Sequence, residues 1–295
     1  MDVLIVEPLD VDVLQWLSER HAVLLVPELA HDPQGFRRAL GRARAVVIPP
    51  SVALDAPALS RAPQLRIVGR LSVGAENIDM EACSRAGIEV VRPASASAVA
   101  EAEFVIGALL QMLRRVPILN SEGLLVGREL GGLTVGIVGV TPAVKHLSGL
   151  LSAFGAKVIG YDPGMHASDS IWSRTAVGPV SLRELVHTSD AVAVLLAFFP
   201  RYVGLFGERL LTEGPLAAAW FDSLEPGAQD PGRPLRHLDT LQVTPRISGT
   251  TQQSRNRSAW AVARRIDELL MAPRSRAEFR PTLPGEIAGP EDDPR

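Results

Sequence analysis

The feature that most constrains this chain is the alternation of short apolar runs with helical periods, sustained to about residue 270. "DVLIVEP" reads as a buried strand, "DVDVLQWLSER" as an amphipathic helix and "AVLLVPE" as a second strand. "DPQGFRRALGRA" reads as helix, "AVVIPPS" as a strand ended by prolines, and "LRIVGR" and "IEVVRP" as two more strands. Uniformly apolar strands separated by helices call for a parallel sheet covered on both faces. "AEFVIGALLQMLRRVPIL" is the longest helical pattern, predicted to close at Pro117. The alternation then restarts with strand "LTVGIVG", helix "PAVKHLSGLLSAFG" stopped by Gly155, and strand "KVIGYDP". Helix "SLRELVHTS", strands "DAVAVLLAF", "AAAWFDSLE" and "TLQVTPR", and a last helix over 251–271 complete it. Two doubly wound parallel-sheet α/β units, back to back, are the simplest reading.

Composition excludes several classes of function. With 295 residues, 46% hydrophobic and 21% charged, the chain is long enough for two full cores. No apolar run reaches a membrane span, and "MDVLIVEPLDVD" carries acids where a secretory leader carries basic residues. Cys83 is the single cysteine, so no internal disulfide forms, and a cytoplasmic location is expected. A net charge of -3 without a basic stripe argues against nucleic acid as a partner. No metal-ligand pattern appears. The stretch 272–295, rich in Pro and charge, is expected to be a flexible tail and is the one candidate handle for a partner protein.

Chemistry enters at "GIVGVTPAV", Gly136 to Val144, where a dinucleotide-binding turn belongs. Gly139 fits the first glycine of G-x-G-x-x-G, but Thr141 and Val144 replace the other two. Thr141 is a good helix N-cap and Pro142 suits a first helical position, yet Pro142 lacks the N–H that a phosphate would use. Lys145 and His146 follow in the first helical turn. Asp162 ends the next strand, 23 residues after Gly139, where an acid takes the ribose of NAD. Gly139, Thr141, Ala143 and Asp162 are therefore the candidate cofactor residues, with NAD(H) bound more weakly than by an intact turn. The residues alone leave open a strand–turn–helix that merely folds.

Longer stretches carry a family resemblance. "LRIVGRLSVGAENIDMEACSRAGIEVV", "AEFVIGALLQMLRRVP", "GGLTVGIVG…LLSAFGAKVIGYDP" and "PLRHLDTLQVTPRISGTT" run collinearly like segments of the D-isomer-specific 2-hydroxyacid dehydrogenases. The resemblance implies two Rossmann-like domains with the active site in the cleft between them. The outer domain takes residues 1–97 plus 247–271 and the nucleotide-binding type takes 98–246. It also implies chemistry by an arginine that orients the keto acid, a histidine that exchanges a proton and a glutamate that supports the histidine. Backbone around Val73 and Gly74 holds the substrate carboxylate in that scheme, with Asn77 and Asp79 matching beside it.

The catalytic set departs from this pattern. The histidine of T-P-H-I-x-G falls on Arg246 in "TPRISG", and arginine does not exchange protons near neutral pH. An ungapped match of "DSLEPGA" to D-V-F-E-x-E-P puts Glu225 on the first acid and Gly227 on the catalytic one. The A-R-G motif is absent, and the chain is shorter there by about one strand–helix unit. The linker after the long helix, source of the family's dimer arm, is also short, which puts family-type homodimerisation in doubt. Leu195 and Ala197 replace an H-x-P pair, Ser97 and Ala98 an N-T pair, and Pro49 an outer arginine.

Three readings follow. The chain is a degenerate or repurposed scaffold that takes a small anionic ligand in the cleft, with Arg246 as anion clamp and Arg70, Glu76, Arg92 and Glu103 nearby. In the repurposed form it carries out a non-redox reaction. Alternatively it is an active NAD-dependent oxidoreductase on a 2-hydroxy or 2-keto acid with relocated catalytic residues, His237 and His146 being available imidazoles.

Overall fold

The computed structural model describes residues 1–72, 74–114, 127–196, 215–224 and 230–272, and single positions 202, 205, 211 and 227. Two parallel sheets organise them. The first comprises β1 (Val3–Ile5), β2 (Val23–Leu25), β3 (Ala45–Val47), β4 (Ile67–Gly69) and β5 (Glu89–Val91), in the order β2-β1-β3-β4-β5. Helices α1 (Val11–Ser18), α2 (Pro33–Leu40), α3 (Ala56–Ser60) and α4 (Met80–Arg85) connect them. β1, β3 and β4 are buried along their whole length, as central strands covered on both faces must be. The last helix, α9 (Gln252–Met271), returns to this sheet. Its Ala259, Val262, Ala263, Ile266 and Leu270 join Val3, Ile5, Ala45, Val47 and Ile67 in one apolar layer.

The second unit holds β6 (Thr134–Val138), β7 (Lys157–Tyr161), β8 (Gly178–Pro179), β9 (Ala191–Val194), β10 (Ala218–Phe221) and β11 (Leu241–Val243). Their order is β11-β10-β9-β6-β7-β8, all parallel. Helices α5 (Ala98–Leu113) and α6 (Val144–Ala153) cover one face, where Phe104 of α5 meets Trp220 of β10 at 5.7 Å between ring centroids. α8 (Leu182–Thr188) covers the other, with Leu185 and Val186 buried where it packs on β6 and β7, while α7 (Ser170–Thr175) leads into β8. The expected doubly wound, two-unit α/β fold is the one observed. Boundaries at 97/98 and 246/247 remain our proposed division.

Some boundaries move. The long helix starts at Ala98, four residues before the apolar pattern at Ala102, because Ala98, Val99 and Ala100 extend a helix without adding periodicity. It ends at Leu113; Pro117 lies outside the described residues. α6 begins at Val144 rather than Pro142. Pro142 and Ala143 form a lead-in turn that Thr141 caps, its Oγ1 accepting from the Ala143 amide at 3.3 Å. Gly155, at φ +82°, stops α6 as read.

The missing strand–helix unit leaves no gap. β10 pairs directly with β9, from Ala218 opposite Ala191 to Phe221 opposite Val194. Among the described residues the six strands are thus paired continuously, β9 with β10 included. The tail expected at 272–295 and the short linker after α5 fall almost entirely outside the described residues.

Candidate active site

In parallel sheets ligands gather at the carboxyl ends of the strands. The cofactor-type turn follows β6. Gly139 has φ +97°, and a Cβ there would lie 2.8 Å from the Leu196 amide nitrogen, so only glycine fits. The Asp162 carboxylate, after β7, accepts from the Val140 amide at 2.8 Å and from the Gly164 amide at 2.7 Å. Two amides hold it beside the turn, and a carboxylate retains further acceptor sites for ribose hydroxyls. The phosphate end is less generous. Val140 donates to Asp162, Ala143 to the Thr141 hydroxyl and Val144 to the Thr141 carbonyl, and Pro142 has no donor. Thr141 is half-buried, Ala143 is buried, and Lys145 and His146 are exposed at the start of α6. The described residues thus fit the ribose end of a dinucleotide well. Its pyrophosphate would rely on the helix N-terminus and Lys145.

Across from this turn, two crossing segments link the units: 92–98, from β5 to α5, and 244–251, from β11 to α9. Asp222, just after β10, organises the second. Its carboxylate accepts from the Thr244 hydroxyl at 2.7 Å, the Ser248 hydroxyl at 2.5 Å and the Ile247 amide at 3.1 Å, while its carbonyl accepts from the Arg246 amide at 2.7 Å. The segments touch at Gly249, where a Cβ would stand 2.8 Å from Ser97 Cβ. The Ser97 hydroxyl donates to Glu101 at 2.5 Å. Burial, outweighing that bond, raises the Glu101 pKa, and the nearby Asp222 charge pushes the same way. Neither Asp222 nor Glu101 stood out in the sequence. Glu101 had one signal, its place in the first turn of α5 beside a crossing segment, and Asp222 had its place at the end of β10.

Arg246 adopts φ +56°, a strained conformation for a side chain of its size. Its Nη1 meets Glu76 Oε1 at 2.5 Å, joining "TPRISG" to the "SVGAEN" loop of the first unit. The same Glu76 carboxylate leans over Gly74, its Oε2 2.5 Å from where a Cβ would be. The structure therefore brings Arg246, Glu76 and Gly74 together. Val73 lies outside the described residues. Hydrogen bonding to Arg246 is the main reason the Glu76 pKa falls below the ordinary carboxylate value.

Other candidates have different positions. Arg70 is 1% exposed beneath the loop rather than displayed to the cleft. Its Nη1 donates to Asn77 Oδ1 at 2.8 Å and Nη2 to the Ser72 hydroxyl at 2.7 Å. Asn77 also donates to the Pro49 and Val52 carbonyls, and Asp79 caps α4 through the Ala82 amide at 2.8 Å. These two matched residues thus hold the loop's shape. Arg92 and Glu103 are exposed. Glu7, after β1, is buried 3.5 Å from Arg255, and desolvation raises its pKa. His237 precedes β11 and Arg246 follows it, so the strand's length, roughly 10 Å, separates them. Gly227 is a turn residue at φ +79°, no place for an acid, and Glu225 lies outside the described residues.

Two doubly wound α/β units, a glycine turn with an acid beside it and a guanidinium at their junction define a two-domain Rossmann-like α/β protein. Residues 3–278 match the model of the D-isomer specific 2-hydroxyacid dehydrogenase catalytic domain, and the chain belongs to that family. It is 28% identical to an (S)-sulfolactate dehydrogenase from Chromohalobacter salexigens, over 88% of this chain and 95% of that one. With a D-3-phosphoglycerate dehydrogenase from Mycobacterium tuberculosis it shares 27%, over 77% of this chain and 49% of that longer protein. Among solved structures, an Aquifex aeolicus D-lactate dehydrogenase complexed with NAD and lactic acid superposes with TM-score 0.68 at 19% identity, covering 92% and 95% of the two chains. An acyclic imino acid reductase in complex with NADPH and D-Arg gives 0.72 at 16%, covering 92% and 97%. At these identities the structures speak for the fold alone. No described helix is long and apolar enough to cross a membrane.

Proposed function

We propose that this chain is an NAD(H)-dependent oxidoreductase acting on a small 2-hydroxy or 2-keto acid, with its catalytic groups relocated. The observation that carries the reading is the meeting of Arg246 with a carboxylate over Gly74. In this reading Arg246 takes over the orienting task of the absent A-R-G arginine from the position of the histidine. A fixed guanidinium suits a planar carboxylate, and it bonds with charge assistance. Asp162 takes the ribose and selects NAD over NADP, because a carboxylate repels a 2′-phosphate. When bound, the nicotinamide supplies or accepts the hydride. Reading E-x-E-P back from its proline instead of forward from Asp222 puts Glu225, directly before Pro226, on the catalytic acid. In this reading Glu225 exchanges the accompanying proton.

One observation favours a second reading, a scaffold that binds an anion without hydride transfer: the amides of the Gly139 turn are largely engaged within the chain. Titration with NADH and steady-state assays on a panel of 2-keto acids separate the two. The dehydrogenase reading expects micromolar NADH binding and measurable oxidation that Glu225→Gln abolishes. NADH silence at millimolar concentration together with anion binding supports the scaffold.

A further inference from the structure

Glu76 does more than pair with a partner at the surface. Its Oε1 faces Arg246, and its Oε2 lies 2.5 Å from where a Cβ on Gly74 would stand, over the loop to which the family resemblance assigns the substrate carboxylate. Glu76 and Arg246 lie 170 residues apart in sequence and belong to different sheets, so the pair forms only at the junction of the two units. Both side chains are about half exposed or more, at 68% and 48%, so no packing locks the carboxylate in place. Arg70, buried beneath the same loop, adds positive charge that Glu76 senses. The Glu76 carboxylate has the charge, the planarity and the Arg246 partner of the ligand group proposed for this spot.

We propose that Glu76 is an internal occupant of the carboxylate subsite, which a substrate carboxylate must displace from Arg246 and Gly74. The inference rests on the reading of that subsite given above and names the residue that sets its affinity and selectivity. Binding then requires a conformer with Glu76 swung out. Apparent affinity is lower than intrinsic affinity by the fraction of molecules in that conformer. Weakly basic anions and those offering one oxygen lose to the resident carboxylate, whereas a planar carboxylate flanked by a carbonyl takes its place at Arg246. Because Arg246 keeps Glu76 ionised below the ordinary carboxylate range, mild acid does not release it.

The test uses oxamate, a singly charged analogue of a 2-keto acid, titrated calorimetrically into the full chain with and without NADH. Glu76→Gln should bind oxamate about fivefold more tightly than the wild type, the free-energy scale of a partly exposed ion pair. Glu76→Gln combined with Arg246→Ala should lose that gain, because no guanidinium remains to be freed. Thermal unfolding of each variant checks that the fold is kept; Glu76 is exposed, so Glu76→Gln should leave it unchanged. Wild-type binding that Glu76→Gln does not strengthen overturns the occupant role and leaves the carboxylate subsite standing. Absence of binding in both proteins overturns the subsite and the occupant together.

Discussion

At the residue scale, function and stability pull against each other at the crossing point of the two units. Glu101 is held among Ser97, Gly249 and Asp222, where burial disfavours its charge. An acid whose folded-state pKa is raised is neutral in both states at low pH. As pH climbs, the unfolded chain ionises first, so the native state loses stability through the interval between the two values. Glu101→Gln keeps an acceptor for the Ser97 hydroxyl and has no charge to bury. Its melting temperature should equal that of the wild type at about pH 3, below the ordinary titration of a glutamate, and exceed it at pH 7. A wild type that melts higher at pH 7 would show that the Glu101 charge stabilises the fold. Arg246 contributes a different strain. Its left-handed backbone is held by the hydrogen bond that its N–H donates to the Asp222 carbonyl, a price accepted where a side chain must be aimed.

At the element scale, the strand–turn–helix from β6 to α6 shows what survives when two of three glycines are replaced. Gly139 cannot be substituted, since φ +97° and the Leu196 backbone both exclude a Cβ. Gly139→Ala should destabilise the protein by about 2 kcal/mol in chemical denaturation and abolish NADH binding. Retained NADH affinity in a folded Gly139→Ala protein would separate the turn from the cofactor. Thr141 is tolerated because its hydroxyl turns inward to the Ala143 amide and caps the lead-in turn. β10 illustrates compensation of another kind. With one strand–helix unit fewer than the resemblance implies, its Ala218 and Ala219 sit directly against β9, and Trp220 fills the layer beneath α5.

At the scale of the whole molecule, the unit built first in sequence is completed last. The layer under β1, β3 and β4 is closed by five buried residues of α9, more than 160 positions after β5 begins. Arg257 Nε ties the helix to the Ala96 carbonyl at 2.9 Å, and Arg265 spans Glu89 at 2.7 Å. A chain ended after Thr251 should therefore leave the first sheet's apolar face open. The expected result is loss of cooperative unfolding in that unit and dye binding to exposed apolar surface, while the second unit keeps its own transition. A single sharp transition at the wild-type temperature would show that α9 is dispensable.

Local patterning was enough to reveal every strand but the two-residue β8, most of the helices, the parallel α/β class and the Gly139–Asp162 pair, because buried strands and glycine turns leave their physics in neighbouring residues. Family membership was legible too, since its motifs are contiguous. The short helices α3, α4 and α7 were not read, as five or six residues carry too little pattern. Nor did sequence show that Arg70 is buried, that Asp222 pins "TPRISG", or that Glu76 reaches Arg246 over Gly74. Those facts depend on how two separately folded sheets face one another. That arrangement is set by long-range packing and by charges far apart in the chain, and only the tertiary structure brings them within a hydrogen bond's reach.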